Sequence, residues 1–212
     1  MANNSLLIFD LDDTIFETKS ISHHHVSSIL ESFRTKIEPI FPTDQVASIM
    51  ADLWKYPYDY VASKYQLEDS TNHLFTQAIN NEEYDLEIKP FDDYHLVKNL
   101  NISKVLVTTG FKKLQLAKIK ALKIENDFNE IHVDAIDAKH RIHKSGIFKN
   151  LLQSTKRSPS DYFVIGDNPK SELKAGKELG FTTIQVAKFN QPKSSMADFY
   201  IAHFQELLEI LV

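Results

Sequence analysis

Five short apolar segments, each four or five residues long, constrain the fold of this chain more than any other feature of its sequence. They are rich in β-branched and aromatic residues and lie at residues 5–9, 104–108, 130–133, 162–165 and 182–186. Segments with helical apolar spacing separate the last four, as in the stretch from Leu114 to Leu122. Because strands that alternate with helices form right-handed βαβ units, the sequence predicts an α/β fold with a doubly wound parallel sheet.

The long interval between the first and second apolar segments lacks strand character. Apolar residues recur there at helical spacing, for example Ile29, Leu30 and Phe33, and indicate about four helices. We therefore expect an α/β core formed by residues 1–15 and 93–212, interrupted by a helical insertion at residues 16–92. The amphipathic segment from Phe204 to Val212 is expected to pack on the core as a helix.

Composition limits the classes of function. The chain has 212 residues, of which 42% are hydrophobic and 25% charged, as in an ordinary globular protein. It contains no cysteine, which excludes disulfides, thiol catalysis and thiolate metal sites. The formal net charge of −5 gives no reason to expect nucleic acid as a partner. No apolar run approaches the roughly 20 residues that span a bilayer, and no secretory pattern is present, so we expect a cytoplasmic protein without a membrane partner.

Polar side chains follow the ends of three predicted strands, where α/β proteins bind their ligands. They are Asp10 and Asp12 after the first strand, Thr108, Thr109 and Gly110 at the second, and Asp167 and Glu172 after the fourth. Close carboxylates suit a nucleophile and a proton donor, a hydroxyl-rich turn suits an anion, and an acid pair suits a hard cation. Each group alone is also compatible with a solvated turn or a helix cap, but their shared edge indicates one site.

These residues resemble the four motifs of the haloacid dehalogenase superfamily. The matching pattern is Asp10-x-Asp12-x-Thr14, then Thr108, Lys144, and finally Gly166-Asp167 with Glu172. The resemblance runs from Leu6 to about Val186, and the helical insertion is similar to that superfamily's type-one cap. It implies the phosphatase branch, with a doubly wound core, a helical cap, a Mg²⁺ cofactor and a small phosphorylated metabolite as substrate.

The resemblance also implies a role for each residue. Asp10 would attack phosphorus to form an aspartyl-phosphate, and Asp12 would protonate the leaving alcohol and then activate water. Mg²⁺ would be held by Asp10, the backbone carbonyl of Asp12, Asp167 and, less directly, Glu172. Thr108 and the amides around Thr109 and Gly110 would hold the transferring group, and Lys144 would compensate its charge.

The sequence departs from the family pattern in three places. Asp13 stands where many members have glycine, Thr109 where asparagine is common, and Glu172 where aspartate is frequent. Lys139 and Lys149 also compete with Lys144 for the role of the motif lysine.

Three alternatives to a phosphatase stay open. A 2-haloacid dehalogenase also uses an aspartate nucleophile, but it needs neither a metal nor a proton donor, so the presence of Asp12 favours phosphoryl chemistry. A catalytically idle member that binds a phosphorylated ligand would tend to have lost the nucleophile or the lysine. A phosphomutase would have to protect the aspartyl-phosphate from water. No motif indicates the oligomeric state.

Several residues of the insertion allow both a structural and a functional interpretation. Adjacent histidines on a helix point about 100° apart, so His23, His24 and His25 cannot chelate one ion together. Five aromatic residues could form a stacking wall, although aromatic residues more often pack a core: Trp54, Tyr56, Tyr58, Tyr60 and Tyr65. Lys19 and Arg34 are the cations of the insertion that could bind a second anionic group.

Overall fold

A computed structural model describes residues 4–53, 58–155 and 157–211 of the chain. The strands are β1 Leu6–Phe9, β2 Ser103–Gly110, β3 Glu130–Ala135, β4 Tyr162–Gly166, β5 Thr182–Val186 and β6 Phe199–Ile201. They form one sheet with the order β3-β2-β1-β4-β5-β6, and every neighbouring pair is parallel. The predicted α/β fold with a doubly wound parallel sheet is confirmed, and β6 is an edge strand that the sequence analysis missed.

The helices divide into an insertion and a set that flanks the sheet. In the described residues they are α1 His23–Ile37, α2 Thr43–Leu53, α3 Tyr58–Lys64, α4 Asp69–Asn81, α5 Tyr94–Lys98, α6 Lys112–Leu122, α7 His143–Ser154, α8 Glu172–Glu178 and α9 Phe204–Ile210. Helices α1 to α4 follow β1 and precede α5, which leads into β2. The insertion boundaries at residues 16 and 92 stay a prediction.

Apolar layers on both faces fix the central strand β1. Leu7 and Phe9 pack into a cluster with residues of α5, α6 and α9, whereas Leu6 and Ile8 pack into a second cluster with residues of α7 and α8. Because both faces are covered, β1 is apolar throughout, as is usual for a parallel sheet. Phe204 of α9 is fully buried, so the predicted packing of the C-terminal helix on the core is confirmed.

The insertion helices have an apolar cluster of their own. Its members include Phe33 of α1, Ile49 of α2 and Phe75 of α4, and the rings of Phe33 and Phe75 meet edge to face with centroids 4.9 Å apart. Phe111, which precedes α6, belongs to the same cluster. This residue therefore joins the insertion to the end of β2.

Candidate active site

A cavity of about 830 Å³ opens at the carboxyl ends of β1, β2 and β4. The chain leaves β1 towards β2 and β3 and then returns to the other side of β1 as β4, which creates a crevice of the kind that binds ligands in α/β sheets. Of the residues predicted for the site, those that line this cavity are Asp10, Asp12, Thr109, Gly110, Lys144, Asp167 and Glu172. Tyr58 and Asp59 of α3 also line it, so the cavity lies between the sheet and the insertion.

Asp10 lies at the end of the central strand. Its backbone N–H donates to the carbonyl of Ile165 at 2.9 Å, so the ladder between β1 and β4 continues into this residue. Lys144, in the first turn of α7, places its Nζ 2.7 Å from Oδ1 of Asp10 and 2.8 Å from Oε2 of Glu172. All three side chains are buried, so a single ammonium group neutralises part of the charge on two carboxylates.

Asp10, Asp167 and Glu172 form a cluster of carboxylates. One oxygen from each lies within 4.8 Å of the others. Gly166 permits this arrangement, because a Cβ at that position would lie 2.5 Å from Cγ of Glu172. Oε1 of Glu172 accepts from the backbone N–H of Asn168 at 2.6 Å, which ties the carboxylate to the turn that follows β4.

The electrostatics of this cluster favour a cation. Burial raises the pKa of Asp10 despite the opposing effect of Lys144. Burial, with repulsion from Glu172 and Asp10, raises the pKa of Asp167 to about 8. Burial alone would lower the pKa of Lys144, but Asp10 and Glu172 outweigh it and raise that pKa. The raised pKa values of Asp10 and Asp167 reflect like charges held close together away from water, and a hard divalent cation such as Mg²⁺ would favour the ionised form of both carboxylates.

Asp12 lies apart from that cluster and has its own partners. Lys118 Nζ is 2.7 Å from Oδ1, Gln115 Nε2 donates to Oδ2 at 2.8 Å, and the hydroxyl of Thr18 donates to Oδ1 at 3.3 Å. Burial would raise the pKa of Asp12, but Lys118 and the hydrogen bond from Gln115 outweigh it and lower that pKa. The sequence analysis did not identify Gln115 or Lys118.

The formal charges of the site do not balance without a cation. Five carboxylates line the cavity around the ends of β1 and β4, namely Asp10, Asp12, Asp13, Asp167 and Glu172, against two buried ammonium groups, Lys118 and Lys144. The difference is a formal charge of three minus, which one divalent ion would reduce to one minus. The donor set and the charge therefore both fit Mg²⁺.

The two threonine hydroxyls at the end of β2, which were expected to face a phosphoryl group, contact protein side chains instead. Thr108 is fully buried and accepts from Gln115 Nε2 at 2.5 Å, which leaves its own O–H to donate. The hydroxyl of Thr109 donates to Oδ2 of Asp134 at 3.0 Å, so that proton is directed to β3. Arg141 donates from Nε and Nη2 to the same carboxylate at 2.7 and 2.8 Å. Asp134 and Arg141 also line the cavity, and the sequence analysis missed both.

Asp13 adopts the backbone conformation for which glycine is common at this position in the family. Its φ of 53° lies in the left-handed region, which aspartate tolerates better than most residues. Its Oδ1 accepts from the backbone N–H of Thr18 at 2.9 Å, which stabilises the turn locally.

Other predicted residues fall away from the cavity. The competing lysines Lys139 and Lys149 are exposed on the surface, and neither they nor Lys19 and Arg34 line the cavity, whereas Lys144 does. His25 contacts Glu82 at 3.1 Å and the carbonyl of Asp85 at 3.2 Å, and thereby ties α1 to the segment after α4.

Of the described aromatic residues in this prediction, Tyr58 is the one that lines the cavity, and Tyr60 is exposed. Tyr58 also stacks on Phe75 with ring centroids 3.9 Å apart. Tyr65 donates its hydroxyl to Asp52 at 2.9 Å. Trp54 and Tyr56, which belong to the same prediction, lie outside the described residues.

The sequence matches the family of haloacid dehalogenase-like hydrolases over residues 7–186. The chain therefore belongs to this family of hydrolases. It is also 22% identical over 228 residues to glyceraldehyde 3-phosphate phosphatase of Pyrococcus furiosus, a match that covers all of this chain and 94% of that protein.

Solved structures share the fold. The HAD-hydrolase YfnB of Bacillus subtilis, bound to magnesium, superposes with a TM-score of 0.63 at 19% identity and 98% coverage of both chains. A 2-haloacid dehalogenase of Pseudomonas syringae superposes with a TM-score of 0.58 at 16% identity, covering 98% of this chain and 97% of that one. Identities this low establish the fold alone. Among the described residues, no helix is long and apolar enough to cross a membrane.

Proposed function

We propose that this hydrolase is a Mg²⁺-dependent phosphatase that acts on a small phosphorylated metabolite through an aspartyl-phosphate intermediate. The observation that carries the proposal is the presence of two differently held carboxylates in one cavity. Asp10 is paired with Lys144 at 2.7 Å, and Asp12 is held by Gln115 and Lys118. One carboxylate is thus available as the nucleophile and the other as a proton carrier, which is the pair that phosphate ester hydrolysis needs.

The proposed reaction has two steps. A carboxylate oxygen of Asp10 attacks phosphorus, the bond to the leaving oxygen breaks, and that oxygen takes a proton from Asp12. Because Lys118 and Gln115 favour the ionised form of Asp12 in the free protein, this role requires that Asp12 takes up the proton when the phosphate ester binds. Asp12 then removes a proton from water, whose oxygen attacks the phosphoryl group and releases Asp10. The division of one displacement into two lowers the barrier of each.

The remaining residues hold the transferring group. The backbone amides at Thr109 and Gly110, which line the cavity, provide donors. Thr108 is fully buried and does not line the cavity, so its hydroxyl oxygen holds Gln115 rather than the phosphoryl group. Lys144 balances the charge of Asp10 and of the phosphoryl oxygens. Asp10, Asp167 and Glu172, with the backbone carbonyl of Asp12, would hold Mg²⁺, which neutralises the phosphoryl oxygens when it is bound.

The insertion acts as a cap in this proposal. Tyr58 and Asp59 of α3 line the cavity opposite the strand ends, where the part of the substrate that is not transferred would lie. Closure of a cap over a site excludes bulk water during the chemistry. The named relative at 22% identity acts on a triose phosphate, which supports a substrate of similar size.

The principal alternative is hydrolysis of a haloacid, because dehalogenases share the fold. A halide leaves without a proton, so that chemistry has no use for Asp12 as a proton donor. An idle member that binds a phosphorylated ligand is the second alternative, and it would bind Mg²⁺ and phosphate without turnover.

The experiment is a panel of phosphate esters, triose phosphates included, assayed for phosphate release with Mg²⁺ and with EDTA, beside a chloroacid assayed for chloride. We expect Mg²⁺-dependent release from a narrow group of esters. Asp10→Asn should lower the rate by at least about a thousandfold, whereas the control Asp44→Asn, an exposed residue of α2, should leave it unchanged. Turnover of the chloroacid without Mg²⁺ would refute the proposal.

A further inference from the structure

Two polar side chains on one face of α6 contact Asp12. Gln115 and Lys118 are three residues apart on this helix, so their side chains project from the same face. The helix begins two residues after β2 ends, which directs that face into the crevice beside β1. Each oxygen of the Asp12 carboxylate is held by one of the two side chains, at 2.8 Å by Gln115 and at 2.7 Å by Lys118.

The burial of Gln115 and Lys118 indicates that their contacts with Asp12 are more than incidental surface contacts. Gln115 is 1% exposed and Lys118 is 5% exposed. An ammonium group withdrawn from water is costly unless it is paired, and Asp12 is the carboxylate that Lys118 contacts. A helix that served only to pack the sheet would carry apolar residues at these positions.

Gly110 leaves space for the side chain of Gln115. A Cβ at this position would lie 2.9 Å from Cδ of Gln115, so glycine gives the Gln115 side chain the room to reach Asp12. Gln115 Nε2 also donates to Thr108 Oγ1 at 2.5 Å, which fixes its amide plane between β1 and β2.

We propose that Gln115 and Lys118 are positioning residues that orient the Asp12 carboxylate for proton transfer to the leaving oxygen and from the attacking water. The inference rests on the proposed phosphatase function and adds to it. Lys118 gives Asp12 a counter-ion of its own, separate from Lys144, which serves Asp10. Gln115 fixes the rotation of the carboxylate through its second oxygen.

This role predicts a dependence on the leaving group. An alkyl phosphate needs a proton on its leaving oxygen, so its rate depends on where the Asp12 carboxylate lies. A 4-nitrophenyl phosphate releases a stable anion and needs little help from an acid. Displacement of Asp12 should therefore slow formation of the aspartyl-phosphate from the alkyl ester far more than from the nitrophenyl ester, whereas its hydrolysis, in which Asp12 activates water, is slowed equally for both.

The experiment compares KM and the rate of the first step of Lys118→Met on glycerol phosphate and on 4-nitrophenyl phosphate, with Mg²⁺ present; the first step is followed as release of the alcohol or the nitrophenol in a single turnover with excess enzyme. We expect this rate on the alkyl ester to fall at least about tenfold and on the nitrophenyl ester to stay within about threefold, since general acid catalysis contributes about 10²–10⁴. Gln115→Leu should show the same pattern more weakly, and Lys118→Arg should restore part of the alkyl rate. Lys120→Met, an exposed lysine of the same helix, is the control.

Two results would overturn the inference. If Lys118 instead binds the phosphoryl group directly, KM will rise for both substrates. If it only supports the fold, the rates of the first step on both substrates will fall by the same factor along with the melting temperature.

A measurement without turnover separates this inference from the proposed function. In the thermal unfolding of Asp12→Asn, Lys118→Met and the double variant, the loss in the double variant should be smaller than the sum of the single losses. If the losses in stability are additive, Asp12 and Lys118 do not interact, and the inference is wrong. If the wild-type protein releases no phosphate from any ester, the proposed function is wrong, and so is the catalytic role of Gln115 and Lys118. The unfolding measurements on the three variants would still show whether Lys118 and Asp12 interact.

Discussion

Removal of the Lys144 ammonium should destabilise the protein strongly. In Lys144→Met the side chain keeps its length, but Asp10 and Glu172 lose a cation that lies 2.7 and 2.8 Å away. The exposures of the three side chains are 5%, 8% and 2%, so water cannot replace the lost partner. Loss of one partner from a buried ion pair costs about 3–5 kcal/mol. At about 2–4 °C per kcal/mol for a chain of this size, the melting temperature should fall by about 6–20 °C.

The assay is thermal unfolding without Mg²⁺ at neutral pH. Lys98→Met is the matched control, because Lys98 is 56% exposed and lies 3.6 Å from Asp127, and a surface pair contributes about 0–1 kcal/mol. The double variant Lys144→Met/Glu172→Gln, which also removes one of the stranded charges, should recover part of the loss. A decrease no larger than that of Lys98→Met would refute the account of the buried cluster.

Two further predictions concern the same cluster. Gly166→Ala should lower the free energy of unfolding by about 1–3 kcal/mol and weaken Mg²⁺ binding, because the new Cβ would lie 2.5 Å from Glu172. Denaturant unfolding measures the first effect and titration calorimetry the second. An unchanged Mg²⁺ affinity would contradict this geometry. The raised pKa of Asp167, about 8 against 3.8, means that the folded state binds more protons between these values, so its contribution to stability falls as pH rises through that window. Without Mg²⁺, Asp167→Asn should therefore gain stability relative to wild type between about pH 5 and pH 8, and parallel pH profiles of the two proteins would contradict the shift.

The inner strands of the sheet are predictable from sequence because they are buried on both faces. Leu6–Phe9 is apolar throughout, and so are residues 105–107 of β2 and residues 162–165 of β4, so periodicity and length identify these strands without tertiary information. Strand β6 is harder to predict, since Phe199–Ile201 has three residues and lies at the sheet edge, where only its pairing with β5 defines it.

Carboxylates at strand ends are predictable for the same reason, whereas their partners are not. Asp10 and Asp12 follow β1 directly, but Gln115 and Lys118 are separated from Asp12 by 103 and 106 residues. A signal for them does exist: polar residues at these two positions adjoin the apolar face of α6, where a packing helix would carry aliphatic side chains. Arg141 has no such signal, because it lies in a polar loop before α7.

The most direct test of the central claim is to trap the intermediate. The protein is mixed with Mg²⁺ and a turned-over phosphate ester, quenched rapidly in acid, and its peptides are analysed by mass spectrometry. The account predicts a phosphoryl group on the peptide that contains Asp10, and none on that peptide from Asp10→Asn. Rapid phosphate release with Asp10 unmodified at every quench time would contradict the account.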